Sequence, residues 1–365
     1  MTTIYLIRHA EAEGNLYRIA QGQNDSNLTD RGWRQVRALE RRFASIPIDA
    51  VYASDLYRTC ATASAIYRPK GLPLHREAAL REIGVGEWEG RTWGDIYRRD
   101  PELMEAFSRH MDRWHIAGAE TAQQVLDRVR GAVVRIAAEN DGRTVAVVSH
   151  GYAIRLLLAW AQGLTLEETG ATPHGDNTAV SLLEAEGGTL RVLFRDDNSH
   201  LKTPEFLAEE KPIRRQNALE PGLWFEPLEG RRELLRALAE EGWRDSGRRE
   251  PFDPARLEAE AESRWTRLGF LNGEPVGLMQ MGPEPGWITL ACIRSAFRKR
   301  GFGTQLIGQA VQHTRREEGE TLYAAAPMAA ETFLRESGFV PSGTGADSRT
   351  LWEKSIAFDP EIRGW

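Results

Sequence analysis

The chain has 365 residues, 41% hydrophobic and 27% charged, with 47 basic against 53 acidic side chains and a formal net charge of −6. That length favours two domains of ordinary size, and the charge gives no reason to expect a nucleic-acid or membrane partner. The only cysteines, Cys60 and Cys292, exclude a disulfide framework and fit a reducing cytoplasm, and there is neither a basic leader nor a run of membrane-spanning length.

Residues 4–7, Ile-Tyr-Leu-Ile, form an apolar run expected to be a strand buried on both faces, and it ends abruptly in Arg8-His9. A Gly/Asn/Gln-rich loop follows over 14–27. Thr29 reads as the N-cap of a helix, with Asp30 in its first turn and Val36, Leu39 and Phe43 on its apolar face. A short strand is expected at 50–53, a helix at 56–67 with Arg58 in its first turns, and a loop dense in glycine and acid at 80–90. Residues 93–118 read as helical and mostly polar, and a capped helix runs from about 121 to 139. The stretch 144–151, Thr-Val-Ala-Val-Val-Ser-His-Gly, repeats the opening pattern: a Val-rich strand that ends in a histidine, with glycine at the turn into an apolar helix over 152–162. Strands at 178–184 and 189–196 are joined by Gly187-Gly188, a hairpin signal.

Periodicity dissolves over 198–221, where Pro204, Pro212 and Pro221 alternate with charged clusters in the manner of a linker. Beyond it a strand is expected at 223–227, helices at 231–241 and 254–268, and two apolar runs within 269–281 split by Asn272-Gly273, a type I′ turn signal. A strand at 287–293, a helix at 301–316, a strand at 322–326, a helix at 329–336 and a strand at 351–356 complete the chain.

If the first sheet is parallel, Arg8-His9, Arg58, Glu82 and His150 converge where open α/β sheets bind ligands. Two imidazoles, two guanidiniums and a carboxylate suit phosphoryl transfer. Arginines clamp phosphate oxygens bidentately, and the helix start after Gly151 offers backbone N–H groups to the same anion. A neutral imidazole can attack phosphorus, while a carboxylic acid protonates the leaving alkoxide and then deprotonates water. The cationic side chains neutralise the charge, so no metal is expected.

These segments resemble the histidine phosphatase superfamily, the phosphoglycerate-mutase-like fold. Arg8-His9-Ala10-Glu11 is similar to its Arg-His-Gly signature, with alanine in the glycine slot; Asn15, Gln21-Gly22 and residues 27–29 to the loop after it; and residues 54–63 to the segment with the second arginine. Residues 80–90 resemble the acid-bearing segment, 149–151 the second histidine and 198–201 the C-terminal Asn/His-Leu element. The resemblance implies His9 as the phosphohistidine nucleophile, Glu82 as proton donor, Arg8, Arg58, His150 and Gly151 around the phosphate, and Asn15 as a supporting contact. Glu87 and Glu89 are expected to be solvated loop acids, and His75, His110, His115 and His174 to lie on the surface or in satisfied packing.

In the second half, Arg298-Lys299-Arg300-Gly301-Phe302-Gly303-Thr304 lies between a strand and a helix, where glycines let backbone N–H groups approach a pyrophosphate. It resembles the pyrophosphate loop of the GNAT acetyltransferases. Residues 288–293 resemble their strand that splays to admit acetyl-CoA, which brings Ile293 into the expected site, and residues 333–339 resemble their closing segment. Two departures stand out. Phe333 occupies the place of a proton-donating tyrosine, and the strand at 287–294 lacks a carboxylate base.

The expectation is therefore an α/β chain in two parts. Residues 1–205 form a three-layer phosphoglycerate-mutase-like domain that hydrolyses a small phosphorylated metabolite, 206–220 a linker, and 221–365 a smaller GNAT-like domain that uses acetyl-CoA and an unidentified amine. The alternatives are a phosphoglycerate-type mutase in the first part, and an acyl-CoA-binding regulatory or structural module in the second.

Overall fold

In the computed structural model, which describes residues 1–210, 222–245, 251–345 and 349–363, the opening apolar run becomes β1 (Thr2–Arg8). The expected loop after it holds a short helix, α1 (Glu13–Tyr17), ended by Arg18 in the left-handed region. Helix α2 (Asp30–Phe43) is capped by Thr29, whose hydroxyl accepts from the Gly32 N–H. Then come β2 (Ala50–Ala53), α3 (Tyr57–Lys70) and β3 (Leu74–Arg76).

The helix expected over 93–118 is broken. It forms α4 (Trp93–Arg99) and α5 (Pro101–Arg109), because the residue before a proline is pushed out of the helical region. Past α5 the chain turns and buries Met111, Trp114 and Ile116. Helix α6 (Ala122–Glu139), with Thr121 and Gln124 in a capping box, leads to β4 (Thr144–Ser149) and α7 (Gly151–Ala161). The unit continues with α8 (Leu166–Thr169), the hairpin β5 (Val180–Glu186) and β6 (Thr189–Asp197), and α9 (Pro204–Glu209).

The six strands are ordered β3-β2-β4-β1-β5-β6, the first four parallel and the last two antiparallel. Alternation along β1 serves both faces. Ile4 and Leu6 join the core under α6 and α7, and Ile7 joins the core under α2 and α3, which makes three layers.

The second unit opens with β7 (Trp224–Pro227), α10 (Arg232–Asp245) and α11 (Pro254–Ser263). Residues 264–268, expected to prolong α11, instead enter β8 (Thr266–Leu271). That strand lies between β7 and β9 (Glu274–Met281) and is apolar on both faces, a pattern that periodicity does not separate from a buried helix. Strand β10 (Trp287–Ile293), α12 (Phe302–Arg316), β11 (Thr321–Ala326), α13 (Glu331–Glu336), β12 (Val340–Thr344) and β13 (Thr350–Ser355) follow, with β12 unanticipated. The sheet runs β12-β13-β11-β10-β9-β8-β7.

The boundaries differ from those expected. Phe206 of α9 is buried against Ala38 and Leu201, and Glu210 pairs with Arg31 and Arg34, so the first unit runs past residue 205. Most of the expected linker, 211–220, lies outside the described residues. Beyond β13 the chain returns to the first unit through α14 (Pro360–Arg363), where Ile362 is 1% exposed in the core shared with β1 and α3. Phe358 packs on Tyr57. Helix α1 in turn sits on α12: Tyr17 and Ile19 belong to the second unit's core, and Glu13 pairs with Arg315 at 2.6 Å. No described helix is long and apolar enough to cross a membrane.

Candidate active site

Because β1 and β4 are parallel neighbours with Arg8 opposite Ser149, their ends deliver His9 and His150 side by side, ring centroids 5.3 Å apart. His9 is 3% exposed, and its Nδ1 lies 2.7 Å from the Ala10 carbonyl oxygen. A carbonyl only accepts, so the ring proton sits on Nδ1 and Nε2 keeps its lone pair for attack. Burial, then Arg58 and Arg8, hold the His9 pKa well below the ordinary histidine range, which keeps the ring neutral. His150 is fully buried and is likewise held low by burial, then Arg58 and His9. Its Nε2 meets the Ser54 hydroxyl at 2.8 Å, while Nδ1 is buried without a partner.

Arg58 starts α3 and is 1% exposed. It donates to the carbonyls of Asn24 and Gly22, both at 2.8 Å, which holds the fork still and leaves Nε buried and unpartnered. Burial pulls its pKa down to about 10 and also lowers that of Arg8. Arg8 Nε is equally orphaned, while Nη1 donates to Gly175 O and meets His174 Nδ1 at 3.0 Å. Orphaned buried donors on two cations are costly unless an anion satisfies them.

Glu82 enters from the loop after β3. Its carboxylate accepts from the N–H groups of Tyr152 (3.2 Å), Ala153 (3.1 Å) and Ile83 (3.1 Å). Two amides at the start of α7, expected to face the phosphate, are thus taken by the Glu82 side chain. The loop is braced by Arg128 of α6, which donates to the carbonyls of Ala79, Arg81 and Glu82 and grips both oxygens of Glu120 at 2.7 Å. Burial alone would raise the Glu120 pKa, but Arg128 and the Gly84 N–H outweigh it and hold it low. Asn15 Oδ1 accepts from Ala12 N at 3.0 Å and lies 3.5 Å from Asn177 Nδ2. Glu87 is exposed, as expected. Glu89 is not a solvated acid: it accepts from the Gln23 and Val85 N–H groups.

In the second unit β10 pairs with β11 only through Trp287–Tyr323 and Ile288–Ala324, while its antiparallel pairing with β9 continues to Ile293–Gly277. The two parallel strands therefore part company beyond Ile288. Gly301 caps that helix at φ +86°, and Lys299 also lies at positive φ. Arg298 Nε donates to Ile293 O at 2.8 Å, so it braces the loop and engages the Ile293 carbonyl. The Arg300 guanidinium lies over Phe297 and Phe302. Thr304 N donates to Gly301 O at 3.2 Å. A Cβ on Gly303 would stand 2.9 Å from the Phe333 ring, so Phe333 lies across the loop.

The family described as "Histidine phosphatase superfamily (branch 1)" matches residues 4–198. The chain belongs to this superfamily. The "Acetyltransferase (GNAT) family" matches residues 228–339, so a GNAT domain follows the histidine phosphatase domain. Phosphoserine phosphatase 1 of Hydrogenobacter thermophilus is 29% identical over 201 residues, 55% of this chain and 95% of its own. A probable phosphoglycerate mutase, GpmB, of Salmonella choleraesuis is 32% identical over 164 residues, 45% of this chain and 76% of its own. Among solved structures, YhfR of Bacillus stearothermophilus aligns with a TM-score of 0.54 at 32% identity, covering 55% of this chain and all of that one.

Within the histidine phosphatase domain the structure brings together His9, Arg8, Arg58, Glu82, His150, Gly151 and Asn15. Sequence reasoning missed Ser54, Asn177, Glu120 and Arg128, and it placed His174 in packing or on the surface. His174 is exposed, as expected of a surface residue, yet it stands beside Arg8 and Gly151, and desolvation of its ring, then Arg8, push its pKa down to about 4. The missed signal was topological. A strand antiparallel to β1 must start where β1 ends, so the turn-rich run 172–178 had to lie at the site. His75 stacks on Tyr52, and His110 and His115 are exposed. Among the described residues no group of three or more His, Cys, Asp or Glu side chains is placed to hold a metal ion.

Proposed function

We propose that the histidine phosphatase domain hydrolyses a small phosphomonoester through a phosphohistidine. His9 Nε2 attacks phosphorus as the bond to the leaving alkoxide breaks, and Glu82 gives that oxygen its proton. Water then attacks the phosphohistidine, Glu82 takes its proton, and phosphate leaves with His9 neutral again. Arg8, Arg58 and His150, supported by Asn15 and by Gly151, whose missing Cβ leaves room for Arg8, hold the non-bridging oxygens. The reading is carried by one observation: a neutral histidine with Nδ1 pinned and Nε2 open, beside two guanidiniums, Arg58 buried and Arg8 half-buried, whose Nε atoms are buried and unpartnered. A relative named as a phosphoserine phosphatase supports hydrolysis of a small metabolite. Incubation with para-nitrophenyl phosphate tests it: wild-type protein releases phosphate, and His9→Ala reduces release to background. Undiminished hydrolysis by His9→Ala would refute the mechanism. The relatives named as probable mutases support a second reading, transfer between the hydroxyls of a phosphoglycerate, which product analysis separates from phosphate release.

The GNAT domain implies acyl-CoA use. We infer acetyl-CoA as the ligand, its pyrophosphate over Arg298, Lys299, Arg300, Gly301, Gly303 and Thr304 and its pantetheine along the end of β10 at Ile293; the parted strands and the glycine N-cap support this fit. Transfer to an amine would proceed without help from residue 333, since phenylalanine carries no proton to give. Calorimetric titration with acetyl-CoA tests the site. Saturable binding with acetyl turnover across an amine panel supports a transferase, and binding without turnover supports a regulatory module. Cys60 and Cys292 both carry free thiols, which suits a reducing cytoplasm.

A further inference from the structure

Behind the nucleophile runs a chain of hydrogen bonds whose directions the chemistry fixes. Arg42 is anchored on Asp197 at 2.6 Å, and its Nη1 lies 3.2 Å from His200 Nδ1. A guanidinium only donates, so Nδ1 accepts and the His200 proton must sit on Nε2. Nε2 meets the Thr178 hydroxyl at 3.0 Å, and that hydroxyl in turn donates to the Asn177 carbonyl at 2.7 Å. The Asn177 side chain then donates to the His9 carbonyl at 2.9 Å, and the Thr178 N–H lies 3.1 Å from Arg8 O and 3.3 Å from His9 O. From the other side, His9 N donates to Ser149 O at 2.9 Å.

Thr178 is fully buried and sits at φ +60°, a left-handed conformation that a β-branched residue rarely adopts. Strain of that kind persists where the surroundings over-determine the backbone, and it clusters at functional sites. Here it turns one N–H and one side-chain amide onto the two peptide groups that carry the phosphate clamp and the nucleophile.

We propose that His200, Thr178 and Asn177 form a positioning relay that fixes the His9 backbone, and with it the line of attack of Nε2 on phosphorus. The proposal rests on the phosphohistidine reading. None of the three touches the reacting atoms, so the relay governs the rate of phosphoryl transfer rather than affinity.

The test is rapid-quench measurement of the phosphoenzyme burst with para-nitrophenyl phosphate on full-length protein. Thr178→Val removes the hydroxyl while keeping the shape, His200→Phe removes both ring nitrogens, and Asn177→Ala removes the donor. Each lowers the burst rate constant by about tenfold to a hundredfold, with KM unchanged within about twofold. Thr178→Ser and His200→Gln, which restore a hydroxyl and an acceptor–donor pair, recover most of the loss. The Thr178→Val/His200→Phe double variant loses no more than the worse single one, because both break one chain. Folded variants with wild-type burst rates, losses confined to KM, or losses that multiply in the double variant overturn the relay. If His200→Phe does not fold, Thr178→Val and its serine rescue decide alone. No burst in the wild type, or a burst in His9→Ala, refutes the phosphohistidine reading and the relay with it; a wild-type burst with unaffected variants refutes the relay only.

Discussion

At the scale of residues, the site is a pocket of positive charge held together by groups that stay neutral. His9, His150 and His200 all have pKa values pushed below the ordinary range, first by burial and then by neighbouring guanidiniums, His200 to about 4. In the unfolded chain each titrates near ~6.5. As the pH falls below that value, the unfolded state binds protons that the folded state refuses, so stability drops; above it the contribution is fully present. The expected outcome is a urea midpoint lower at pH 5 than at pH 7.5, with proton uptake on unfolding at the lower pH. Equal midpoints would mean that these histidines are not held neutral by the fold. Burial also lowers the pKa of Arg58, to about 10, and that of Arg8, yet both guanidiniums stay charged at neutral pH.

At the scale of elements, the strands that deliver His9 and His150 were legible because each is an apolar run that gives way to a histidine. The steric reason for the glycine after His150 needed the structure: a Cβ there would stand 2.7 Å from the His174 ring and 3.1 Å from Arg8 Nε. The run 172–178 was not legible, since its importance comes from the antiparallel register of β5 on β1 and from nothing in its own composition. Nor was the contact of α1 with α12, which depends on one small residue. A Cβ on Gly308 would lie 2.5 Å from Tyr17 Cβ, whereas a Cβ on Gly131, in α6, meets nothing within 4 Å. Alanine in a helix gains roughly 0.8–1 kcal/mol over glycine, and overpacking costs roughly 1–3 kcal/mol. Gly131→Ala is therefore expected to stabilise the protein by somewhat under ~1 kcal/mol, and Gly308→Ala to destabilise it despite the same gain. Urea midpoints measure both. A stabilised Gly308→Ala would show that the two helices do not meet as described. Since α1 also carries Asn15, a shifted Tyr17 should slow phosphate release as well.

At the scale of the whole molecule, two units that look separable in sequence share walls. The second unit closes its core with Tyr17 and Ile19 of the first, and the first closes its own with Ile362 of the tail. Asn27 Nδ2 donates to the carbonyls of Ile356 and Ala357, and Arg76 donates to that of Ile362. The sequence could not reveal this exchange, because the tail's few apolar residues show no period and their partners lie some three hundred positions earlier. Ile362→Ala should destabilise the protein by about 2–5 kcal/mol, the usual range for emptying a buried isoleucine site. Chemical denaturation followed by phosphatase activity tests this; a change within ±0.5 kcal/mol would show that the tail only rests on the surface.

The seat of Ile362 also bears on the order of synthesis. Chains fold from the N-terminal side as they leave the ribosome, so β1, with His9 just beyond its end, emerges long before α14. Yet the layer beneath it waits for a side chain made more than 350 residues later, and the GNAT sheet has to be built in between. A half-made chain would thus display His9 over an unfinished core. Phosphatase competence is expected to arrive only after Ile362 has been made, rather than when the first two hundred residues are out.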